Sequence, residues 1–130
     1  MRENQKPFVN LPVFLVDDDT SVLHASAAVL RSAGVVNLQM VDDSRELLPA
    51  LERQAASALL LDLFMPHLSG SKLLPEVVRL YPELPVIVMT AAQDVETAVR
   101  SMKEGAFDYL VKPVEESRLV ASVRHAIEVH

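Results

Sequence analysis

A chain of 130 residues and 14.3 kDa fits one domain, and area scaling takes roughly two thirds of its unfolded surface out of water on folding, enough for a core without staples. It has no cysteine, which excludes disulfides, thiolate metal sites and cysteine nucleophiles. With 12 basic against 18 acidic residues and a formal charge of -6, it has no general field to attract nucleic acid, and no apolar run reaches the roughly 18 to 20 residues that cross a bilayer.

Residues 1 to 11 read as a short polar lead, and Met1 to Pro7 lacks an apolar signal core, so a cytoplasmic domain over 12 to 130 is expected. Val13-Phe14-Leu15-Val16 is an apolar run closed by Asp17-Asp18-Asp19-Thr20, a strand followed by a loop and a helix cap. Leu23, Ala27 and Leu30 recur at helical spacing up to Gly34, which can end the helix in a left-handed conformation. Val36, Leu38 and Met40 alternate with Asn37 and Gln39, the pattern of an edge strand with one wet face. Asp43-Ser44-Arg45-Glu46 resembles a capping box ahead of Leu47, Leu51 and Ala55, and Pro49 requires that helix to start late or to kink.

Ala58-Leu59-Leu60-Leu61 has no polar alternation and reads as a strand buried on both faces, ending abruptly in Asp62. Gly70 and Ser71 precede a helix with Leu74, Val77, Val78 and Tyr81 inward and Pro75 near its first turn. Pro85 to Met89 is a second fully buried strand, closed by Thr90. Asp94 is placed to cap a helix with Val95, Ala98, Val99 and Met102 inward, closed by Lys103-Glu104-Gly105. Phe107 to Val111 is the fifth strand, running into Lys112-Pro113, and the last helix carries Leu119, Val123 and Ile127.

Five strand-plus-helix units joined by short loops mean a parallel sheet with helices on both faces, because parallel strands require crossovers. In such a sheet Asp17, Asp18, Asp62, Thr90 and Lys112 emerge at the carboxyl edge, where ligands bind. Taken singly, an aspartate after a strand is more often a turn or helix cap. Taken together, three carboxylates repel: two unit charges about 4 Å apart cost on the order of 4 kcal/mol at an effective dielectric near 20. A cation is therefore expected, and hard oxygen donors with no His or Cys beside them favour Mg²⁺. Metal, ammonium, hydroxyl and a free carboxylate are the parts of phosphoryl transfer, with Asp62 the candidate nucleophile and an acyl phosphate the product.

Val-Asp-Asp at 16 to 18, Asp62 with Met65-Pro66 and Gly70, Met89-Thr90-Ala91, and Lys112-Pro113 together resemble the receiver domain of two-component response regulators, over about Val13 to Glu128. The resemblance implies a flavodoxin-like doubly wound fold: a five-stranded parallel sheet of order 2-1-3-4-5 with five helices. It implies that Asp62 accepts a phosphoryl group from the phosphohistidine of a sensor histidine kinase. Asp18, Asp62 and the backbone carbonyl of Phe64 would ligate Mg²⁺, with Asp17 acting through water. Thr90, Lys112 and the backbone amides of Phe64 and Ala91 would contact the phosphoryl oxygens, and Lys112-Pro113 would be a cis peptide. Thr90 and Tyr109 would act as the switch, remodelling the face of the fourth helix, fifth strand and fifth helix, where a homodimer or an output domain would engage.

On this reading the chain is a signalling receiver that assists its own phosphorylation and dephosphorylation, with no direct contact to nucleic acid or membrane. The stretch from Gln93 to Tyr109 looks most like receivers of transcriptional regulators, so an output domain, in cis or as a partner, is expected. Two departures bear on the phosphate's lifetime. Phe64 and Ala92 offer no polar side chain where other members often position a hydrolytic water, which predicts slow loss of phosphate. Ser69 also stands where an acid is common. The main alternative is a phosphohydrolase of the haloacid dehalogenase type, but its Asp-x-Asp-x-Thr/Val signature meets Ser21 in the last place. A flavodoxin-like binding module fits less well, since Asp17 to Asp19 would repel a phosphate unless metal is present.

Overall fold

The computed structural model describes residues 11–65, 68–91 and 94–129; the lead at 1–10, Pro66, Ala92 and Gln93 lie outside the described residues. In chain order come β1 (Val13–Val16), α1 (Thr20–Ser32), β2 (Leu38–Val41), a short 3₁₀ turn (Ser44–Glu46), α2 (Leu47–Arg53), β3 (Ala58–Asp62), α3 (Gly70–Leu80), β4 (Val86–Ala91), α4 (Val95–Lys103), β5 (Asp108–Lys112) and α5 (Glu116–Glu128). The strands form one sheet of order β2-β1-β3-β4-β5, parallel at every pairing. Doubly wound and flavodoxin-like, the sheet sits between two helical layers, because continuous apolar strands have to be covered on both faces.

Alternate residues of the central strands supply the two halves of the core. Phe14, Val16, Leu59 and Leu61 pack with Leu47 and Leu51 of α2 and Leu74 and Val77 of α3. Leu15, Leu60 and Ile87 pack with Leu23 and Leu30 of α1 and Leu119 and Val123 of α5. The starts of α1, α3 and α4 are each set by a local side-chain oxygen: Asp19 accepts from the amides of Ser21 and Val22, Ser69 from Lys72, and Asp94 from Thr97. Past α1 and α4 the chain reverses at Gly34 (φ 94) and Gly105 (φ 110), where a side chain would be strained.

Pro49 has the expected effect: the chain makes a 3₁₀ turn first, and Pro49 falls in the first turn of the late-starting α2. Elsewhere the structure departs from the sequence pattern. The second strand is Leu38–Val41, with Val36 outside it and 68% exposed and Met40 on its wet side; Val41 carries its burial instead. Helix α3 begins at Gly70, so Pro75 lies in its second turn rather than its first. Leu73 joins Leu74 and Val77 in its buried stripe, while Val78 and Tyr81 are partly covered. In α4 only Ala98 and Ser101 are buried, and Val95, Val99 and Met102, expected inward, are exposed. The reason is register: small Ala98 and Ser101 let α4 lie close to β4 and β5, and this turns the larger residues away from the sheet.

Candidate functional site

The site lies where β1, β3, β4 and β5 end. Backbone pairing sets the residues side by side, Val16 against Leu61, Asp62 against Met89, and Ala91 against Lys112. The amide of Leu63 donates to the Met89 carbonyl at 3.2 Å, so β3 is held to β4 one residue beyond Asp62. The carboxylate of Asp62 therefore stands on a part of the chain with little freedom to move.

Asp17 is 1% exposed and fully engaged. Its Oδ1 accepts from the Asp19 amide at 3.0 Å, and its Oδ2 accepts from Lys112 Nζ at 3.0 Å. Asp62 accepts from the Phe64 amide at 3.2 Å through Oδ1, and its Oδ2 lies 3.4 Å from the same ammonium. Lys112, a third exposed at its side chain, thus bridges two buried carboxylates contributed from strands far apart in sequence. Asp18 turns to solvent beside them, and Asp17, Asp18 and Asp62 offer carboxylate oxygens within 4.8 Å of one another. The peptide between Lys112 and Pro113 is cis.

Burial pushes the Asp62 carboxyl up to about 6. The Phe64 amide opposes that shift, the neighbouring Asp17 charge adds to it, and the Lys112 ammonium counters Asp17 in turn. For Lys112, burial works against the ammonium, but the hydrogen bond to Asp17 and the charges of Asp62 and Asp17 outweigh it and hold its pKa above the usual lysine value. The lysine is a permanent cation, while Asp62 is a carboxylate short of counter-charge. An additional cation at Asp17, Asp18 and Asp62 would complete the balance, and the donors are hard oxygens with no His or Cys among them, a set that fits an oxygen-preferring divalent ion.

Thr90 is 1% exposed, and its hydroxyl donates to the Ala91 carbonyl at 3.2 Å. Ala91 ends β4 alongside Lys112. Phe64 is 54% exposed next to the acidic cluster. Tyr109 lies away from the cluster on β5, and its side is shared by Val111, at the other end of one strand step; both are 40% exposed. With Val95, Val99 and Met102 of α4 they leave an apolar face open on α4 and β5.

Two features were not visible from the sequence. In the sequence Gly70 marks the approach to α3 and one point of the motif set around Asp62, but not a contact: a Cβ there would sit 2.1 Å from the Asp62 carbonyl oxygen and 2.8 Å from the Leu63 Cα. The start of α3 presses on the backbone of Asp62 so closely that only glycine fits. The second feature is a clamp across β5 and α5, in which Arg118 donates to both oxygens of Asp108 at 3.0 and 3.1 Å and Ser122 donates to Asp108 at 2.8 Å. Burial raises the Asp108 carboxyl, but Arg118, Ser122 and the Tyr109 amide together bring it below the ordinary carboxylate range. Its only sequence signal is an acid at a strand start with a base ten residues on, too common a pattern to single out.

Known proteins similar to this chain are numerous. The family described as the response regulator receiver domain matches residues 13–124. Over 115 residues the chain is 39% identical to the DNA-binding transcriptional regulator NtrC of Salmonella typhimurium, covering 88% of this chain and 24% of that protein. It is 41% identical over 116 residues to the response regulator protein FleR of Pseudomonas aeruginosa, with 88% and 24% covered. The crystal structure of the receiver domain of NtrX from Brucella abortus superposes with a TM-score of 0.85 at 29% identity, covering 91% of this chain and 99% of that one. The chain spans about a quarter of the length of these curated relatives.

Proposed function

The chain belongs to the response regulator receiver domain family, a family of signalling domains, and we propose that Asp62 is its phosphoacceptor and the phosphohistidine of a sensor histidine kinase its physiological donor. The observation that carries this reading is the bridge from one lysine to two buried aspartates, Lys112 to Asp17 at 3.0 Å and to Asp62 at 3.4 Å, with Asp62 left partly uncompensated. An Asp62 oxygen attacks phosphorus; the new O–P bond forms as the P–N bond breaks, and the electron pair leaves with the imidazole nitrogen. Lys112, the Thr90 hydroxyl and the amides of Phe64 and Ala91 take the phosphoryl oxygens, with Thr90 giving up its bond to the Ala91 carbonyl. Asp18, Asp62 and the Phe64 carbonyl would hold Mg²⁺, with Asp17 behind them, and the ion when bound supplies charge neutralisation.

Movement of Thr90 would be relayed through β4 and β5 to Tyr109, which stands 40% exposed and would turn inward. The face of α4, β5 and α5 is the surface so altered, and its exposed Val95, Val99, Met102 and Val111 suit a contact with an output domain or a second receiver. The likeness to NtrC, a DNA-binding transcriptional regulator, suggests that the output is transcriptional, and the quarter-length match to NtrC and FleR that residues 12–130 form the receiver of a longer regulator. A cytoplasmic place fits such a partner set; among the described residues no helix is long and apolar enough to cross a membrane. Phe64 sets an apolar, half-exposed ring where a water would have to be oriented, so the acyl phosphate is expected to hydrolyse slowly.

Intact mass after incubation with acetyl phosphate and Mg²⁺ tests the reading. Wild type gains one phosphoryl group and Asp62→Ala gains none; equal gain by both would overturn it.

A further inference from the structure

Gly70 explains why α3 lies against the backbone of Asp62, but not what keeps the start of α3 there. The amide of Gly70 donates to the Leu63 carbonyl at 3.1 Å. Two residues earlier, the amide of Leu68 donates to the hydroxyl oxygen of Ser44 at 3.1 Å, across 24 positions of sequence. Ser44 is 2% exposed and sits in the 3₁₀ turn that follows β2, on no strand that ends at the acidic cluster. Its backbone is set in turn by Asp43, whose side chain caps that turn through the Arg45 amide. Leu68 itself packs on the core shared by α2 and α3.

We propose that Ser44 is a positioning residue for the phosphoacceptor: through the Leu68 amide it seats the start of α3, and through Gly70 that seat fixes the backbone from which the Asp62 carboxylate projects. The chain of contact is short. A hydroxyl holds Leu68, Ser69 caps the helix through the Lys72 amide, and Gly70 touches the Asp62 carbonyl at a distance no side chain tolerates. Removing the hydroxyl leaves the part-buried Leu68 amide without its acceptor, and the chain there must shift to find another. Groups behind the reacting shell commonly change affinity or rate by 10–100-fold when lost, and small displacements of a reacting group are costly in rate. This inference rests on Asp62 being the acceptor.

The test compares wild type, Ser44→Ala, Ser44→Thr and Ser57→Ala for Mg²⁺ affinity and for the rate of phosphorylation by acetyl phosphate, with Asp62→Ala as the blank. Ser57 is the control because it is also buried and its hydroxyl donates to a backbone carbonyl, that of Pro12, but it precedes β3 at the opposite end of the sheet. Ser44→Ala is expected to phosphorylate about tenfold more slowly and to bind Mg²⁺ more weakly, with Ser44→Thr, which keeps the hydroxyl, and Ser57→Ala both near wild type. Wild-type rate in a folded Ser44→Ala, or an equal loss in Ser57→Ala, would overturn the proposal. Should Ser44→Ala not fold, hydrogen exchange of the Leu68 amide in wild type decides: strong protection supports the seat, and exchange at the rate of an open loop sinks it. Failure of wild type itself to be phosphorylated would instead remove the acceptor reading on which the proposal stands.

Discussion

Replacing Asp62 with Asn should make the metal-free protein more stable at neutral pH, although it destroys the proposed acceptor. The Asp62 carboxyl rises from 3.8 to about 6 on folding, chiefly through burial. Each pH unit of such a difference is worth about 1.36 kcal/mol, so full conversion would give roughly 3 kcal/mol. Solvent reaches the pocket beside Asp18 and Lys112, so a gain of about 1–2 kcal/mol is the reasonable expectation. Because the folded value lies above the unfolded one, the contribution of Asp62 is fully favourable below about pH 4 and is lost as pH rises through about 6. Asn has nearly the same shape, keeps an oxygen for the Phe64 amide, and does not titrate. Thermal unfolding in EDTA at pH 7.5 should therefore show Asp62→Asn melting about 4–8 °C above wild type, with the difference shrinking toward pH 4. Excess Mg²⁺ should narrow it from the other side by stabilising wild type. A variant that melts below wild type in EDTA at pH 7.5, or a gap that does not close in acid, would show that burial of the Asp62 charge does not destabilise the metal-free fold.

Other perturbations probe the same pocket. Asp18→Asn should also stabilise the metal-free protein, but by no more than about 0.5 kcal/mol because Asp18 faces solvent, and it should weaken Mg²⁺ binding; isothermal titration and melting in EDTA check both. Lys112→Ala leaves the buried Asp17 without its ammonium and should cost about 2 kcal/mol in urea unfolding without metal, with part of that recovered on adding Mg²⁺. Gly70→Ala has to displace the Asp62 backbone and should lose about 3 kcal/mol together with most of the phosphorylation rate, measured by unfolding and by intact mass. Arg118→Ala should lower stability by about 1 kcal/mol while leaving Mg²⁺ affinity unchanged, since the Asp108 clamp lies away from the acids.

The parts of this fold that were legible are those where burial is total. Leu59, Leu60 and Leu61 have to be covered on both faces, and a strand of that kind implies its neighbours, its crossovers and the edge at which Asp62 emerges. Caps and helix ends were legible for the same kind of reason: Asp19, Asp94, Gly34 and Gly105 each satisfy a local need of the backbone. The stripe of α4 was misread because Val95, Val99 and Met102 have the spacing of a core helix, and spacing does not say which side of that stripe meets the sheet. At the site, the residue types at the strand ends were visible but their pairing was not. That Lys112 lies nearer Asp17 than Asp62 depends on side-chain paths across three strands. The roles of Gly70 and Ser44 depend on contacts between loops, which leave no periodicity to read.

In the proposed reaction one carboxylate, placed beside a lysine and two further acids, takes up phosphorus. Borohydride reduces an acyl phosphate to an alcohol, so treatment of the phosphorylated protein followed by peptide mapping locates the modified residue directly. Homoserine is expected in place of Asp62 and nowhere else. Homoserine at Asp17 or Asp18, or a phosphoryl group that resists borohydride and maps to a histidine, would contradict it.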